Sequence, residues 1–573
     1  MAKPLISASL VAPAFLGLNT QDSSVANDPS FALEADNCVI DKNGRIASRK
    51  GWSYLTSGSD GVDTKGIHVF TDINGTKTVL SFNDSNFYKG TTTLTQLTPS
   101  PSETTTGGNW QAATLNDRAY FFQRGSTPLY YSNETASEVF TGIDQHTDYD
   151  GGAGDDAIPK ANTVLSAYGR LWVADTATEK TTIHFSDLLN GAKWNSGTAG
   201  SLNISGIIPN NGDTIVGLGA QNGLLIVFCK HHIIIFADND SFQGHFDVTT
   251  LRLVEVITGI GCIARDSIQN VGDDILFMSS TGLRSLGRTI QEKSQPFTDI
   301  SKNVRDDIVE QIAQLPQDTG HLGTYKTIKS VYNVAEAFYL IDFQDIKHQT
   351  FVFDTRRKFE DGALRVTRWT GVTHNNYEYD DVARELLFAE TNGIAKYRGF
   401  QDNGVGYTML YLTNHFDLGE PTQNKILKRA SVTAIGSSQQ AFSIKASFDY
   451  SSSFFNFPFT IASVPVCEYN VSEYTRTNDI NVENIEVEDP LTGSTITAGS
   501  HTIIGRRVPR TTDNDFTSDD EVSEYTGGVA LDRIQSAASG TGSILQIGVE
   551  ATINGGSLAI QKLDVYAKQG RIL

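Results

Sequence analysis

One pattern recurs along most of the chain and limits what it can become: a short apolar strand, a polar turn, then a second short strand carrying aromatic or β-branched residues. It runs through Val79–Phe82 and Phe87–Tyr88, Ala119–Phe122 and Leu129–Tyr131, and Leu171–Ala174 and Thr182–Phe185. It continues through Leu224–Cys229 and Ile233–Phe236, Ile275–Met278 and Leu283–Leu286, Phe338–Phe343 and Thr350–Phe353, and Leu386–Ala389 and Ile394–Tyr397. Two of the turns, Ser280-Thr281-Gly282 and Thr391-Asn392-Gly393, carry hairpin chemistry. Successive first strands begin 40 to 63 residues apart. Four strands in a repeat of about 40–50 residues is the spacing of a β-propeller. A blade cannot bury both faces alone, so the units have to stack in a ring. Unrelated hairpins in stacked sandwiches are the competing reading, and the regular spacing favours the ring. The sequence therefore predicts a propeller-like domain of six to eight blades over residues 53–412.

Helical periodicity is nearly absent, so the fold class expected is all-β. The exception is Lys302–Gln314, where Val304, Ile308, Ile312 and Leu315 recur at helical spacing. Ser301 can cap this short amphipathic helix, and Pro316 ends it. After Tyr411 the rhythm changes. Asn414–Glu420 reads as a strand followed by a turn. Alternating strands follow at Ala430–Ile435, Phe442–Phe448, Phe454–Ile461, Ser543–Ile553 and Ser557–Ala567. Between them, 465–540 carries 14 Asp/Glu against 5 Lys/Arg. The reading is a C-terminal β-sandwich or tip domain over 413–573, interrupted by a long acidic extension at 465–540. Long insertions in compact folds are usually functional or disordered.

Composition excludes several function classes. Of 573 residues, 39% are hydrophobic and 19% charged, which describes a folded chain rather than a disordered one. The formal net charge of −21 opposes non-specific binding to phosphates and to anionic membranes. It suits a surface that nucleic acid slides past, or simply keeps a large assembly soluble. Cys38, Cys229, Cys262 and Cys467 lie far apart, with neither a disulfide framework nor zinc spacing. They read as buried thiols of a chain folded in a reducing cytoplasm. Pro4, Pro13 and Gly17 break the opening stretch, so no signal peptide is expected. No apolar run reaches the length of a membrane-spanning helix.

The search for chemistry returns structural readings. Ser186-Asp187, Gly191 and Trp194 share residue types with the aspartate box of sialidases, Ser-x-Asp-x-Gly-x-x-Trp, but not its spacing, so a turn with a packed tryptophan is favoured. Asp148-Tyr149-Asp150-Gly151-Gly152 with Asp155-Asp156 has the oxygen-rich character that calcium prefers, but lacks the ligand order of an EF-hand loop; a solvated loop is favoured. His231 and His232 lie at the tip of an apolar hairpin; strand neighbours point to opposite faces and do not easily share a ligand, so a turn histidine beside a half-buried one is favoured. No nucleophile elbow, phosphate loop or zinc-protease helix occurs. The basic clusters Arg356-Arg357-Lys358, Lys425 with Lys428-Arg429, and Arg506-Arg507 with Arg510 have no interleaved aromatics and read as contact patches. No catalytic, cofactor-binding or metal-binding residue is assigned, and no cofactor is expected.

The opening of the chain is its most specific text. It reads Phe15-Leu16-Gly17-Leu18-Asn19-Thr20-Gln21-Asp22-Ser23, then Ala32 to Asn37-Cys38-Val39, then Asn43-Gly44-Arg45-Ile46 and Arg49-Lys50-Gly51-Trp52. This resembles the opening of the tail nozzle, or tail tubular protein B, family of short-tailed bacteriophages (podoviruses). Thr182-Ile183-His184-Phe185-Ser186-Asp187 resembles a blade segment of that family. Phe416-Asp417-Leu418-Gly419 with Lys425 and Lys428 resembles the start of its post-propeller sandwich, and Leu563-Asp564-Val565-Tyr566 with Arg571 its final strand. The 465–540 extension has no counterpart in the pattern. The resemblance implies a non-enzymatic virion tail protein, made in the host cytoplasm, with residues 1–52 as an extended assembly arm. It implies a homohexameric ring below a tail adaptor protein, docking tail fibres or spikes and meeting the host outer surface at its tip. Viral double-stranded DNA would pass without specific binding through a gated channel during genome ejection. The alternative is a propeller that binds or cleaves carbohydrate. Cleavage calls for a central pocket with aromatic walls and two carboxylates about 5–10 Å apart.

Overall fold

The computed structural model describes the chain except for residues 1–4, 25–27, 59–60, 101–104, 134–139, 143–157, 209–211, 239–247, 273, 293–299, 345–348, 420–421, 438–439, 462–485, 489–494, 498–528 and 573. The Asp148–Asp156 loop, Cys467, the Arg506–Arg510 cluster and most of the 465–540 extension lie outside the described residues. Two compact units form. One comprises residues 54–364 and 370–397; the other comprises 1–53, 365–369 and 398–573.

The first unit is a β-propeller. All seven hairpins read from the sequence are present, with their registers intact: Leu80 faces Lys89, Tyr120 faces Tyr130, Val173 faces His184, Ile226 faces Ile235, Phe277 faces Arg284, Leu340 faces Val352 and Phe388 faces Ala395. Six of the hairpins supply the middle strands of their sheets, and Ile275–Ser279 with Gly282–Ser285 completes a three-stranded one. A further strand precedes each hairpin: Gly66–Thr71, Gln111–Leu115, Ala161–Ala167, Ile215–Gln221, Gln269–Asn270, Lys329–Asn333 and Asn376–Asp380. Tight turns join these leading strands to the hairpins. Asn116 and Asp117 take φ of 45° and 63°, and Asn222 and Gly223 take 50° and 75°, the left-handed pair that a type I′ turn requires.

Packing explains why blades need one another. Phe70, Leu80, Phe82 and Phe87 of one sheet share a core with Trp110, Phe121 and Leu129 of the next. Phe122 and Ala113 pack on Val164, Leu171 and Trp194. Trp172, Ile183 and Phe185 pack on Leu218, Leu225 and Ile234, and Ile226 and Phe228 on Ile275 and Phe277. The ring closes where Ile67 and Val79 of the first blade meet Leu387, Ala389 and Ile394 of the last. Lys77 and Asp380 pair across that seam at 2.6 Å, and the Leu55 N–H donates to the Ile394 carbonyl at 2.8 Å.

Among the described residues two short α-helices interrupt the strands. The predicted one begins as a 3₁₀ turn at Lys302–Val304 and becomes α-helical over Arg305–Gln314. Ser301 makes no side-chain cap; its hydroxyl accepts the Leu283 N–H at 3.0 Å instead. A second helix, Leu286–Glu292, was not expected. It is only two turns long, too short for periodicity to register. Among the described residues no helix is long and apolar enough to cross a membrane.

The second unit is a β-sandwich built from both ends of the chain. One sheet combines Leu5–Val11, Cys38–Ile40, Ile46–Ser48, Gln423–Ser437, Val529–Ala537 and Leu558–Ile572. The other pairs Phe31–Asp36 with Tyr407–Thr413, Leu545–Ile553, Ala441–Phe448 and Phe455–Thr460 in that order. Period-two alternation buries Val432 and Ala434, Leu563 and Val565, Phe442 and Ile444, and Ile547 and Val549. Leu5–Val11, within the stretch read as an assembly arm, is extended and pairs along Lys562–Lys568. The strand expected at Asn414–Glu420 lies earlier, at Tyr407–Thr413. Asp417 turns the chain there by accepting the Gly419 N–H at 2.8 Å, and Leu418 and Gly419 both take positive φ.

Candidate functional site

The leading strands of the propeller surround its axis, and their side chains differ from those of the hairpins. Hairpin strands are apolar on both faces because each blade is covered on both sides. Five of the seven leading strands place polar groups at a half-open cavity of about 220 Å³, lined by His68, Gln111, Gln269, Ser330, Asn376 and Glu378. Phe82, Trp110 and Tyr377 add aromatic wall.

A buried charge cluster forms the base of this cavity. The Arg265 guanidinium donates to the Asn162 carbonyl at 2.6 Å, to Asn162 Oδ1 at 3.1 Å and to Asn109 Oδ1 at 3.1 Å. Its Nε donates to Asp266 at 2.6 Å, and Lys329 pairs with the other oxygen of the same carboxylate. Burial alone would raise the Asp266 pKa, but the two cations hold it well below the usual carboxylate range. Burial lowers the Lys329 pKa, and Asp266 opposes that shift. Across the cavity His68 shares a hydrogen bond with Thr114 Oγ1 at 2.9 Å, and its other ring nitrogen lies 3.5 Å from Glu378.

Residues 315–328 form a strap held by side chains and backbone of several blades. Arg124 joins two blades to it, pairing with Asp175 and, at 2.9 Å, with Asp318. Lys326 adds a contact to Asp318 at 3.1 Å, and Lys180 one to Asp175 at 2.9 Å. The Lys230 ammonium donates to the Leu322 carbonyl at 3.0 Å, and the Tyr325 N–H donates to the Ile263 carbonyl at 2.9 Å. Burial would raise the Asp175 carboxyl, but His321 and Arg124 bring it down to about 2. Only about 10 Å³ remains open among Asn109, Asn162, Asp266 and His321.

The residues singled out from sequence take other places. Asp187 is a turn residue: its carboxylate accepts the Thr198 N–H at 2.9 Å and the Thr198 hydroxyl at 2.6 Å. Ser186 Oγ accepts the Leu171 N–H at 3.0 Å, and the Trp194 indole donates to the Gly191 carbonyl at 2.9 Å. Asp213 accepts the His231 N–H at 2.9 Å and lies 2.6 Å from His232 Nδ1. Cys38, Cys229 and Cys262 are buried free thiols. Arg356, Arg357 and Lys358 are exposed at a strand end, whereas Lys425 is buried and donates to the Ser543 carbonyl at 2.6 Å. No His/Cys/Asp/Glu group able to hold a metal ion occurs among the described residues.

The opening signature has its own structural logic in the sandwich unit. Gly17 has φ of +82°, and a Cβ there would lie 2.5 Å from the Val366 carbonyl oxygen. A Cβ on Gly51 would lie 1.9 Å from the Gln401 carbonyl oxygen. Asn19 Oδ1 accepts the Gln21 N–H at 3.1 Å, and its amide donates to Asp22 at 2.9 Å. Arg49 is buried: it grips Asp402 with two nitrogens at 2.7 and 2.6 Å, donates to Asn37 Oδ1 at 3.0 Å, and lies 4.0 Å from the Tyr407 ring centroid.

No protein-family model and no curated protein sequence matches this chain. Solved structures resemble it weakly. The Neurospora crassa Pan2 WD40 domain is 9% identical with a TM-score of 0.33, covering 61% of this chain and 95% of that one. Kluyveromyces lactis Hsv2 is 11% identical with a TM-score of 0.30, covering 53% of this chain and 85% of that one. A Bacteroides fragilis protein assigned provisionally as a 6-phosphogluconolactonase is 11% identical with a TM-score of 0.30, covering 57% and 88%.

Proposed function

We propose that this chain is a structural tail protein of a short-tailed bacteriophage: a nozzle subunit that assembles as a ring of six below the tail adaptor. In this role it docks tail fibres or spikes and gates the distal DNA channel until genome ejection. The observation that carries the reading is the opening signature. Its Gly17, Asn19, Asn37, Arg49 and Gly51 each meet a specific steric or hydrogen-bonding demand, and three of them meet residues more than three hundred positions away: Gly17 at Val366, Arg49 at Asp402 and Gly51 at Gln401. A pattern with such interlocking requirements is a stronger basis for resemblance than apolar spacing alone.

The mechanism is mechanical. The protein supplies wall, docking surface and gate, and performs no covalent chemistry. With 66 acidic against 45 basic side chains, a ring multiplies the negative excess. Phosphates passing such a wall are repelled within a screening length of about 8 Å at physiological salt, so DNA moves without sticking. Antibody labelling of intact virions tests the assignment by electron microscopy. Label at the tail tip supports it; label on the capsid, or on no particle, refutes it.

A further inference from the structure

The axial cavity of the propeller has unspent hydrogen-bonding capacity that the tail role does not use. Gln111 spends its carbonyl oxygen on the Val164 N–H at 2.8 Å, and its amide nitrogen remains for the cavity. Asn376 spends its oxygen on the Tyr377 N–H at 2.8 Å and keeps its amide donors. Gln269 donates to the Ser330 carbonyl at 3.1 Å and keeps its acceptor. Glu378 faces the same space, and a ring nitrogen of His68 lies 3.5 Å from its carboxylate. Donors and acceptors therefore alternate around one small volume, with aromatic wall between them.

Charge narrows the ligand class. Arg265 and Lys329 are balanced by Asp266 and Glu378, so with His68 neutral the wall and its backing carry no net charge. A wall of that kind offers no excess field to an anion or a divalent cation. It suits a neutral molecule whose groups both donate and accept, as sugar hydroxyls do, and whose C–H faces meet aromatic rings. At about 220 Å³ the cavity is below the size of drug-like sites, which start near 300 Å³. That limits the occupant to one sugar ring rather than a chain. Asp266 is held ionised by its two cations, so it has no proton to give a leaving group.

We infer that the propeller axis is a binding site for a single neutral sugar residue, such as the exposed end of a surface glycan. The site stands independently of the tail assignment, since its failure leaves the ring proposal intact and the reverse also holds. The test is isothermal titration calorimetry of the full-length chain against glucose, galactose, mannose and N-acetylglucosamine, with sialic acid and inorganic phosphate as charged comparators. At least one neutral sugar gives saturable binding, and Glu378→Gln and Gln111→Leu each weaken it about tenfold or more by removing a hydrogen-bonding partner. Glu385→Gln, on the neighbouring strand of the same blade, leaves it unchanged. Thermal melts identify any variant that fails to fold, and the other then decides the result. Absence of heat with all four sugars overturns the inference. So does tighter binding of sialic acid or phosphate, or affinity unchanged in a folded Glu378→Gln or Gln111→Leu protein.

Discussion

The propeller and the sandwich solve the same problem, covering sheet faces, from opposite directions along the chain. Most propeller contacts join strands close in sequence, so each hairpin can form before its neighbours arrive. The sandwich joins Leu5–Val11 to Lys562–Lys568 and Phe31–Asp36 to Tyr407–Thr413, and it cannot close until nearly the whole chain is present. Their polar interiors differ in the same way. In the propeller, buried charges bind blade to blade around the axis. In the sandwich, one arginine, Arg49, gathers Asn37, Asp402 and Tyr407 from distant segments. Local modules need a shared centre to become a ring, and non-local sheets need a clasp.

The largest effect should come from the propeller centre. Asp266→Asn keeps the volume but leaves Arg265 and Lys329 as buried cations without their carboxylate. We expect a loss of about 3–5 kcal/mol, read by denaturant unfolding. Hydrogen exchange should accelerate in the leading strands of the propeller before it does in the sandwich. Uniform acceleration across both units would show that the two interiors do not act separately.

Arg49→Met comes next. It removes the clasp, but Asp402 is 19% exposed and keeps some water, so about 2–3 kcal/mol is expected. Protection should fall at Tyr407–Thr413 and persist at Leu224–Cys229. Equal loss at both would contradict the division of labour.

Acid provides a smaller probe of the strap. Asp175 has a folded pKa of about 2, below its unfolded value near 3.9. A carboxylate with a depressed pKa contributes stability that is complete above its unfolded value and is lost as pH falls through the folded one. About 2 kcal/mol should therefore disappear between about pH 4 and pH 2, and Asp175→Asn should flatten that part of the stability profile. An unchanged profile in the variant would remove the strap's ion network from the account.

The parts that could be read in the sequence follow the same contrast. Hairpins such as Leu224–Cys229 with Ile233–Phe236 announce themselves because both faces are covered and the apolar run is short and local. The leading strands did not, since Gln111, Gln269 and Asn376 turn polar groups to the axis and dilute the apolar signal. The clue was a polar residue early in five of the seven leading strands, His68, Gln111, Gln269, Ser330 and Asn376, ahead of the hairpin. The cavity's two carboxylates were equally hidden: Asp266 and Glu378 lie on different blades, and nothing in linear order brings them together. The sandwich was legible only in its alternating C-terminal strands. Leu5–Val11 joins them through a partner more than five hundred residues away, and no local pattern encodes such a pairing.

The proposed role as a ring-forming nozzle subunit is tested by electron microscopy of the purified 573-residue chain. A nozzle subunit gives closed particles with six-fold symmetry around an open lumen, each subunit showing a propeller-sized lobe. A monodisperse population of single copies that neither closes into rings nor attaches to isolated tails would contradict it.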